Sequence, residues 1–183
     1  MAIYLRNNPE SRFFSKKGLI LGGSHSPSPL NSEAHQGDLS AVLLQNLNPL
    51  VNLIRVPKKP IILMDEWESK IKAIVENTWN KDVNSLSGVP SWMLVLIKAV
   101  LKKTGREYLT DVWPNLEIFF HGGISFEPYR EQYKTLIPSN KMHYMETYNA
   151  SEGFFGLQDD PTDPSLLMMP DYGIFYEFIP MNE

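Results

Sequence analysis

The sequence predicts an α/β domain with a mostly parallel sheet flanked by helices. Short apolar runs rich in β-branched and aromatic residues recur at 18–23, 116–120 and 142–148. Between them lie segments with apolar residues at helical spacing. Strands that alternate with helices favour parallel pairing. The 183 residues are 43% hydrophobic and 21% charged, which suits one folded domain with its own core rather than a disordered chain.

In chain order, residues 18–23 form a short strand that ends in a glycine turn. Residues 24–37, SHSPSPLNSEAHQG, have no apolar period and read as an exposed, flexible loop. Asp38 is placed to cap a helix through about Asn46, with Val42, Leu43 and Leu47 turned inward. Pro49, Pro57 and Pro60 keep the next stretch from being one long helix. Asp65 is placed to cap a second helix over 66–79, on which Trp67, Ile71, Ile74 and Thr78 share a face. Residues 80–88 read as a polar connection. Pro90 opens a helix over 91–103 that is apolar on most of its surface and therefore mostly buried, and Gly105 ends it. A strand at 116–120, a helix at 127–136, a strand at 142–148 and a last strand at 173–179 complete the order. The run 143–156 begins as a strand and ends as a loop. No repeat or domain boundary is visible, so residues 1–183 read as a single domain.

The net charge of −4, with no Lys/Arg block, argues against a polyanion binder, so no nucleic-acid partner is expected. With no cysteine, disulfides, thiolate metal sites and cysteine nucleophiles drop out. The first residues lack a signal-peptide pattern, and the longest apolar stretch, 92–101, is broken by Lys98 and too short for a bilayer. No membrane partner is expected, and the expected location is cytoplasmic.

In open α/β sheets, ligands gather at the carboxyl ends of the strands. Two such ends carry unusual residues. At Gly122-Gly123-Ile124-Ser125 the glycines leave room for a flat ligand to approach the backbone. At Tyr148-Asn149-Ala150-Ser151-Glu152-Gly153 a ring is available for a base, a hydroxyl for a phosphate oxygen and a carboxylate for Mg²⁺. Taken singly these residues have plainer readings: a tight turn, a half-buried strand tyrosine, a solvated loop carboxylate.

Together they resemble the adenylate-forming superfamily of acyl-CoA synthetases and luciferases, whose Tyr-Gly-x-Thr-Glu motif matches residues Tyr148 to Glu152 with Asn149 for Gly and Ser151 for Thr. More closely, the chain resembles the auxin-responsive (Gretchen Hagen) acyl-acid amido synthetases. The matching phrases are Gly123-Ile124-Ser125 with Tyr129, the run Tyr-x-x-Ser-Glu-Gly-x-x-Gly from Tyr148 to Gly156, and Tyr176-Glu177-Phe178-Ile179-Pro180. Gly88-Val89-Pro90-Ser91-Trp92 matches the turn that opens a buried helix beside the acyl pocket.

The resemblance implies part of the large N-terminal domain of an enzyme that uses ATP and Mg²⁺ to activate a carboxylic acid as an acyl-adenylate. An amine, usually that of an amino acid, then takes the acyl group. On this implication Tyr148 packs against adenine, with Gly122, Gly123, Ser125, Asn149, Ala150 and Gly153 around the nucleotide. Ser151 contacts the α-phosphate and Glu152 holds Mg²⁺. Val89, Trp92 and Leu96, with Val95, wall the acyl pocket.

The family's phosphate loop, Ser-Ser-Gly-Thr-(Ser/Thr)-x-Gly-x-x-Lys, is absent, and Gly22-Gly23-Ser24 is not a substitute for it. The family's ribose-binding Tyr-Arg-x-Gly-Asp segment and catalytic lysine are absent too. The chain therefore reads as the middle of a longer enzyme, a partial domain inactive by itself. Alternatives are a non-catalytic binding or interaction scaffold built on the same fold, and an acyl-CoA ligase-like enzyme. A metal hydrolase using His25, His35, His121 and His143 has no zinc-like spacing behind it, and a serine hydrolase lacks the Gly-x-Ser-x-Gly elbow.

Overall fold

The computed structural model describes residues 1–27 and 35–180. Helix α1 (Ala2–Asn7) leads into strand β1 (Lys17–Leu21), a two-strand ribbon of β2 (His25–Pro27) and β3 (His35–Gly37), and helix α2 (Leu39–Gln45). Strand β4 (Arg55–Val56) and helices α3 (Lys59–Ile62) and α4 (Trp67–Thr78) follow. Strand β5 (Val83–Gly88), helices α5 (Pro90–Thr104) and α6 (Leu109–Val112), strand β6 (Ile118–Gly122) and helix α7 (Arg130–Leu136) form the middle. Strands β7 (His143–Ala150), β8 (Gly153–Leu157) and β9 (Leu167–Met168) complete the order.

The seven-strand sheet runs β4-β1-β5-β6-β7-β8-β9. Its first five strands pair in parallel, and β8 and β9 add on antiparallel. The mostly parallel α/β architecture expected from the alternation is therefore present. The main core joins β1, β5 and β6 to α4, α5 and α7, with Leu19, Leu86, Phe119, Ile97 and Tyr133 fully buried. A smaller cluster around Tyr4, Phe13, Ile118 and Met145 packs α1 near the amino ends of the strands.

Helix α5 starts at Pro90 and ends at Gly105, whose φ of 64° takes the left-handed conformation that closes a helix at low cost for glycine. Helix α4 differs from expectation at its start. Its cap is Glu66, not Asp65: the carboxylate accepts hydrogen bonds from the Glu68 N–H (2.9 Å) and the Ser69 N–H (2.7 Å). Helix α2 turns Ala41 and Leu44 inward, while Val42, Leu43 and Leu47 are exposed, the reverse of the expected face. Asp38 stands at its N-cap position without a side-chain cap bond, because its carboxylate accepts instead from the Ser24 N–H (3.2 Å).

Four further corrections concern strands. Residues 83–88, expected in a polar connection, are a central strand, with Val83, Asn84, Ser85 and Leu86 all buried. The run after Tyr148 is not a loop: β7 and β8 form a hairpin that turns at Ser151 and Glu152. Residues 173–179 are not a strand. Phe175, Phe178 and Ile179 are 90%, 73% and 83% exposed, and aromatic β-propensity without a ladder partner or a face to pack on does not make a strand. Of the expected loop 24–37, the two ends pair as β2 and β3, and residues 28–34 lie outside the described residues.

Candidate functional site

Strands β1, β5, β6 and β7 run in parallel, so their carboxyl ends lie at one edge of the sheet. A cavity of about 410 Å³ opens there. Leu21, Gly88 and Gly122 border it from three strand ends, Val89 and Trp92 from the start of α5, and Asn149, Ala150 and Ser151 from the hairpin. Gly23, Asp38 and Ser40 close the side next to β1.

The two central glycines are needed for different reasons. A Cβ on Gly122 would overlap the carbonyl oxygen of Thr147 on the neighbouring strand. Gly123 has φ +83°, a conformation that L side chains seldom adopt, and a Cβ there would meet only Val89. Behind them the Thr147 hydroxyl donates to the His121 carbonyl (3.1 Å) and ties β6 to β7 at the cleft. The His121 ring stacks on Phe126 at 4.2 Å and is 3% exposed. Burial, reinforced by the Arg130 guanidinium, pushes its pKa down to about 4, so the imidazole is neutral near pH 7.

The support under the first glycine turn comes from a residue that no sequence motif marks. Lys70 is 2% exposed, and its ammonium donates to the carbonyls of Gly22 (2.7 Å) and Gly23 (3.1 Å). Burial lowers its pKa, while the nearby Asp38 carboxylate pulls the other way. The Gly23 N–H donates in turn to Ser40 Oγ (2.8 Å). The available signal was one lysine on the apolar face of α4, four residues before Ile74.

Of the residues singled out from sequence, Gly122, Gly123, Asn149, Ala150, Ser151, Val89 and Trp92 come together around this one cavity. Ser125, Tyr148, Glu152, Gly153 and Leu96 do not line it. Leu96 is 1% exposed and belongs to the core. Val95 is exposed. Tyr148 is 55% exposed and packs its ring on Phe155 at 5.1 Å. Glu152 stands exposed in the hairpin turn, and Gly153 faces Ile174.

Chemically the cleft offers a flat backbone wall, an apolar side at Leu21, Val89 and Trp92, and the hydroxyls of Ser40, Ser87, Thr147 and Ser151. Asp38 is the one formal charge among its described lining residues, and no Lys or Arg lines it. The set suits a ligand with one flat face, an apolar portion and groups that hydrogen-bond to hydroxyls. It does not by itself neutralise a triphosphate, which calls for Mg²⁺ and further cationic groups. Among the described residues no three His, Asp or Glu side chains gather as a preformed metal centre, and no helix is long and apolar enough to cross a membrane.

Comparison with known proteins gives one finding. The model of the GH3 family N-terminal domain matches residues 1–142. No curated protein matches the chain.

Proposed function

The chain belongs to the GH3 family, whose members are auxin-responsive acyl-acid amido synthetases and ATP-dependent ligases, and on that premise we propose that it serves acyl-adenylate chemistry. In the proposed reaction a carboxylate oxygen attacks the α-phosphorus of ATP, and the bond to pyrophosphate breaks. The nitrogen of an amine such as an amino acid then bonds to the acyl carbon. The acyl C–O bond to AMP breaks and the nitrogen loses a proton. The protein's part is mainly positioning and charge placement.

The observation that carries this reading is the cleft at the carboxyl ends of four parallel strands, bordered by Gly122, Gly123, Asn149, Ala150 and Ser151. The glycine wall admits a flat base or ribose, and the Ser151 hydroxyl is placed for a phosphate oxygen. Val89 and Trp92 form the acyl side. Tyr148 and Glu152, carried next to Ser151 on the same hairpin, are assigned to adenine stacking and to Mg²⁺ held against the phosphates. Ser125 and Gly153 are assigned to the nucleotide side of the loops, and Leu96 backs the acyl wall from the core. ATP and Mg²⁺ are the proposed cofactors, with a small carboxylic acid and an amino acid as substrates and the cytoplasm as the location.

The 183 residues contain no Ser-Ser-Gly-Thr phosphate loop, so they are expected to bind Mg-ATP weakly and not to catalyse adenylation unaided. Calorimetric titration with Mg-ATP tests the site. Saturable binding that disappears in both Tyr148→Ala and Glu152→Ala is the expected result. Binding that survives both substitutions would overturn the assignment of those residues. Acid-dependent pyrophosphate exchange by this chain would overturn the expectation of inactivity.

A further inference from the structure

Lys70 is a buried charge that the adenylate reading leaves unused. It is 2% exposed on α4, and its ammonium donates to the carbonyls of Gly22 (2.7 Å) and Gly23 (3.1 Å). Successive carbonyls of an extended strand point to opposite sides. Here, just past the end of β1, two in a row converge on one ammonium. An ammonium is costly to bury unless it is well partnered, and the ion pairs among the described residues do not include Lys70.

The other side of the same two peptide groups meets side chains of the cleft. The Gly22–Gly23 peptide group carries the ammonium on its C=O, and its N–H donates to Ser40 Oγ (2.8 Å). The Gly23–Ser24 peptide group carries the ammonium on its C=O, and its N–H donates to Asp38 Oδ2 (3.2 Å). The C=O and N–H of a trans peptide group point in opposite directions, so Lys70 lies on one side of the backbone and Ser40 and Asp38 on the other. Hydrogen bonds in line through a peptide group polarise one another. Gly23 also has to be glycine, because a Cβ there would overlap the Asp38 carboxylate. Ser40 and Asp38 both line the cleft on its β1 side. They set a donor beside an acceptor. One lone pair of Ser40 Oγ is taken by the Gly23 N–H, which leaves the hydroxyl proton to point elsewhere, and Asp38 offers a carboxylate. A ligand hydroxyl complements the pair, accepting from Ser40 and donating to Asp38.

We propose that Lys70 is a positioning residue: it locks the backbone from Gly22 to Ser24 so that Ser40 and Asp38 select an acid bearing a hydroxyl remote from its carboxylate. The order of the sheet favours the acyl group over the ribose as the source of that hydroxyl. Strand β5, whose end leads into Val89 and Trp92 on the apolar side, stands between β1 and the glycine wall of β6. That the selected acid is the acyl substrate rests on the acyl-adenylate reading above; the hold of Lys70 on Ser40 and Asp38 does not.

The test is calorimetry on the whole 183-residue chain. The probes are 6-hydroxyhexanoate against hexanoate and 8-hydroxyoctanoate against octanoate, with adenosine against 2′,3′-dideoxyadenosine to catch a ribose hydroxyl. A preference of about tenfold for a hydroxy acid over its parent acid is expected. Lys70→Met, Asp38→Ala and Ser40→Ala, each checked for native circular dichroism, are each expected to cut that preference by about threefold or more. Affinity for the unsubstituted acid should stay within about twofold in each. A merely structural lysine would instead lower both acids together, and that result in Lys70→Met would overturn the proposal. Lys70→Gln, which keeps one donor, takes its place if Lys70→Met does not fold. No preference in either acid pair, a preference confined to the adenosine pair, or one that survives both Asp38→Ala and Ser40→Ala would overturn the proposal as well. A Mg-ATP titration of the same sample separates the two readings. A Lys70-dependent hydroxyl preference without nucleotide binding would keep this role and count against the adenylate cleft. Nucleotide binding without the preference would remove this role alone.

Discussion

The two ends of the central sheet use the same strands in opposite ways. At the amino end, Asn84 at the start of β5 donates to the Arg12 carbonyl (2.9 Å) and to Glu117 Oε1 (3.0 Å). Glu117 also accepts from the Ser11 hydroxyl (2.9 Å) and the Arg12 N–H (3.4 Å). At the carboxyl end, Ser87 and Ser151 face open space, and the backbone is stripped to glycine at 88, 122 and 123. The larger hollow is at the amino end, about 680 Å³ against about 410 Å³. Volume therefore does not mark the site. Much of the amino-end polarity is spent on holding the segment from Asn8 to Phe13 in place, while at the carboxyl end the hydroxyls of Ser87 and Ser151 are left for a ligand.

The largest expected effect breaks the carboxyl end sterically. Gly122→Ala drives a methyl group into the Thr147 carbonyl, and urea unfolding should show a loss of about 3 kcal/mol. The next concerns His121, which sits behind the same end. Its folded pKa, about 4, lies below the ordinary 6.5, so between these values the unfolded chain binds the proton and the folded one does not. The stability that neutral His121 contributes is whole above about pH 6.5 and declines as pH falls toward 4, by about 2–3 kcal/mol. Arg130, Tyr144 and Glu146 face the ring, and only Arg130 opposes its protonation by charge. Urea midpoints across pH 4.5–7.5 should show this slope, and His121→Phe should flatten it. At the other end, Glu117→Ala removes the acceptor of three donors and should cost about 2 kcal/mol without altering ligand affinity at the cleft.

This contrast also explains what the sequence made legible. Strands β1 and β6 and helix α5 stand out because their apolar residues are nearly continuous, as burial requires, while β7, mostly half-buried, stands out by its Tyr144, Met145, Thr147 and Tyr148. Strand β5 was hidden by Asn84, Ser85 and Ser87. Asn84 serves the amino-end network, Ser85 fits beneath Gly18 on β1, and Ser87 borders the cleft. Strand β8 was hidden because Gly153 and Gly156 look like loop residues until the hairpin supplies a partner. The cleft residues on β6 and the β7–β8 hairpin were readable from a local phrase. Lys70, Asp38 and Ser40 were not, since their part depends on β1, α2 and α4 meeting at Gly22 and Gly23.

The smallest expected effect is the sharpest comparison, because the same chemical change is made at both ends. Ser11→Ala deletes a hydroxyl that donates to Glu117 and accepts from the Phe13 N–H (3.2 Å). It should cost about 1 kcal/mol of stability, the usual scale for a spent hydrogen bond, and leave cleft ligands unaffected. Ser151→Ala deletes an exposed hydroxyl at the cleft edge that has no protein partner among the described residues. Its stability should stay within about 0.5 kcal/mol of the parent, while Mg-ATP affinity falls. Urea unfolding and calorimetry on the two variants give four numbers. If Ser151→Ala destabilises as much as Ser11→Ala, the carboxyl-end hydroxyl is structural after all. Loss of nucleotide affinity in Ser11→Ala instead would mean that the two ends are coupled through β5, and that the division of labour along the strands is not real.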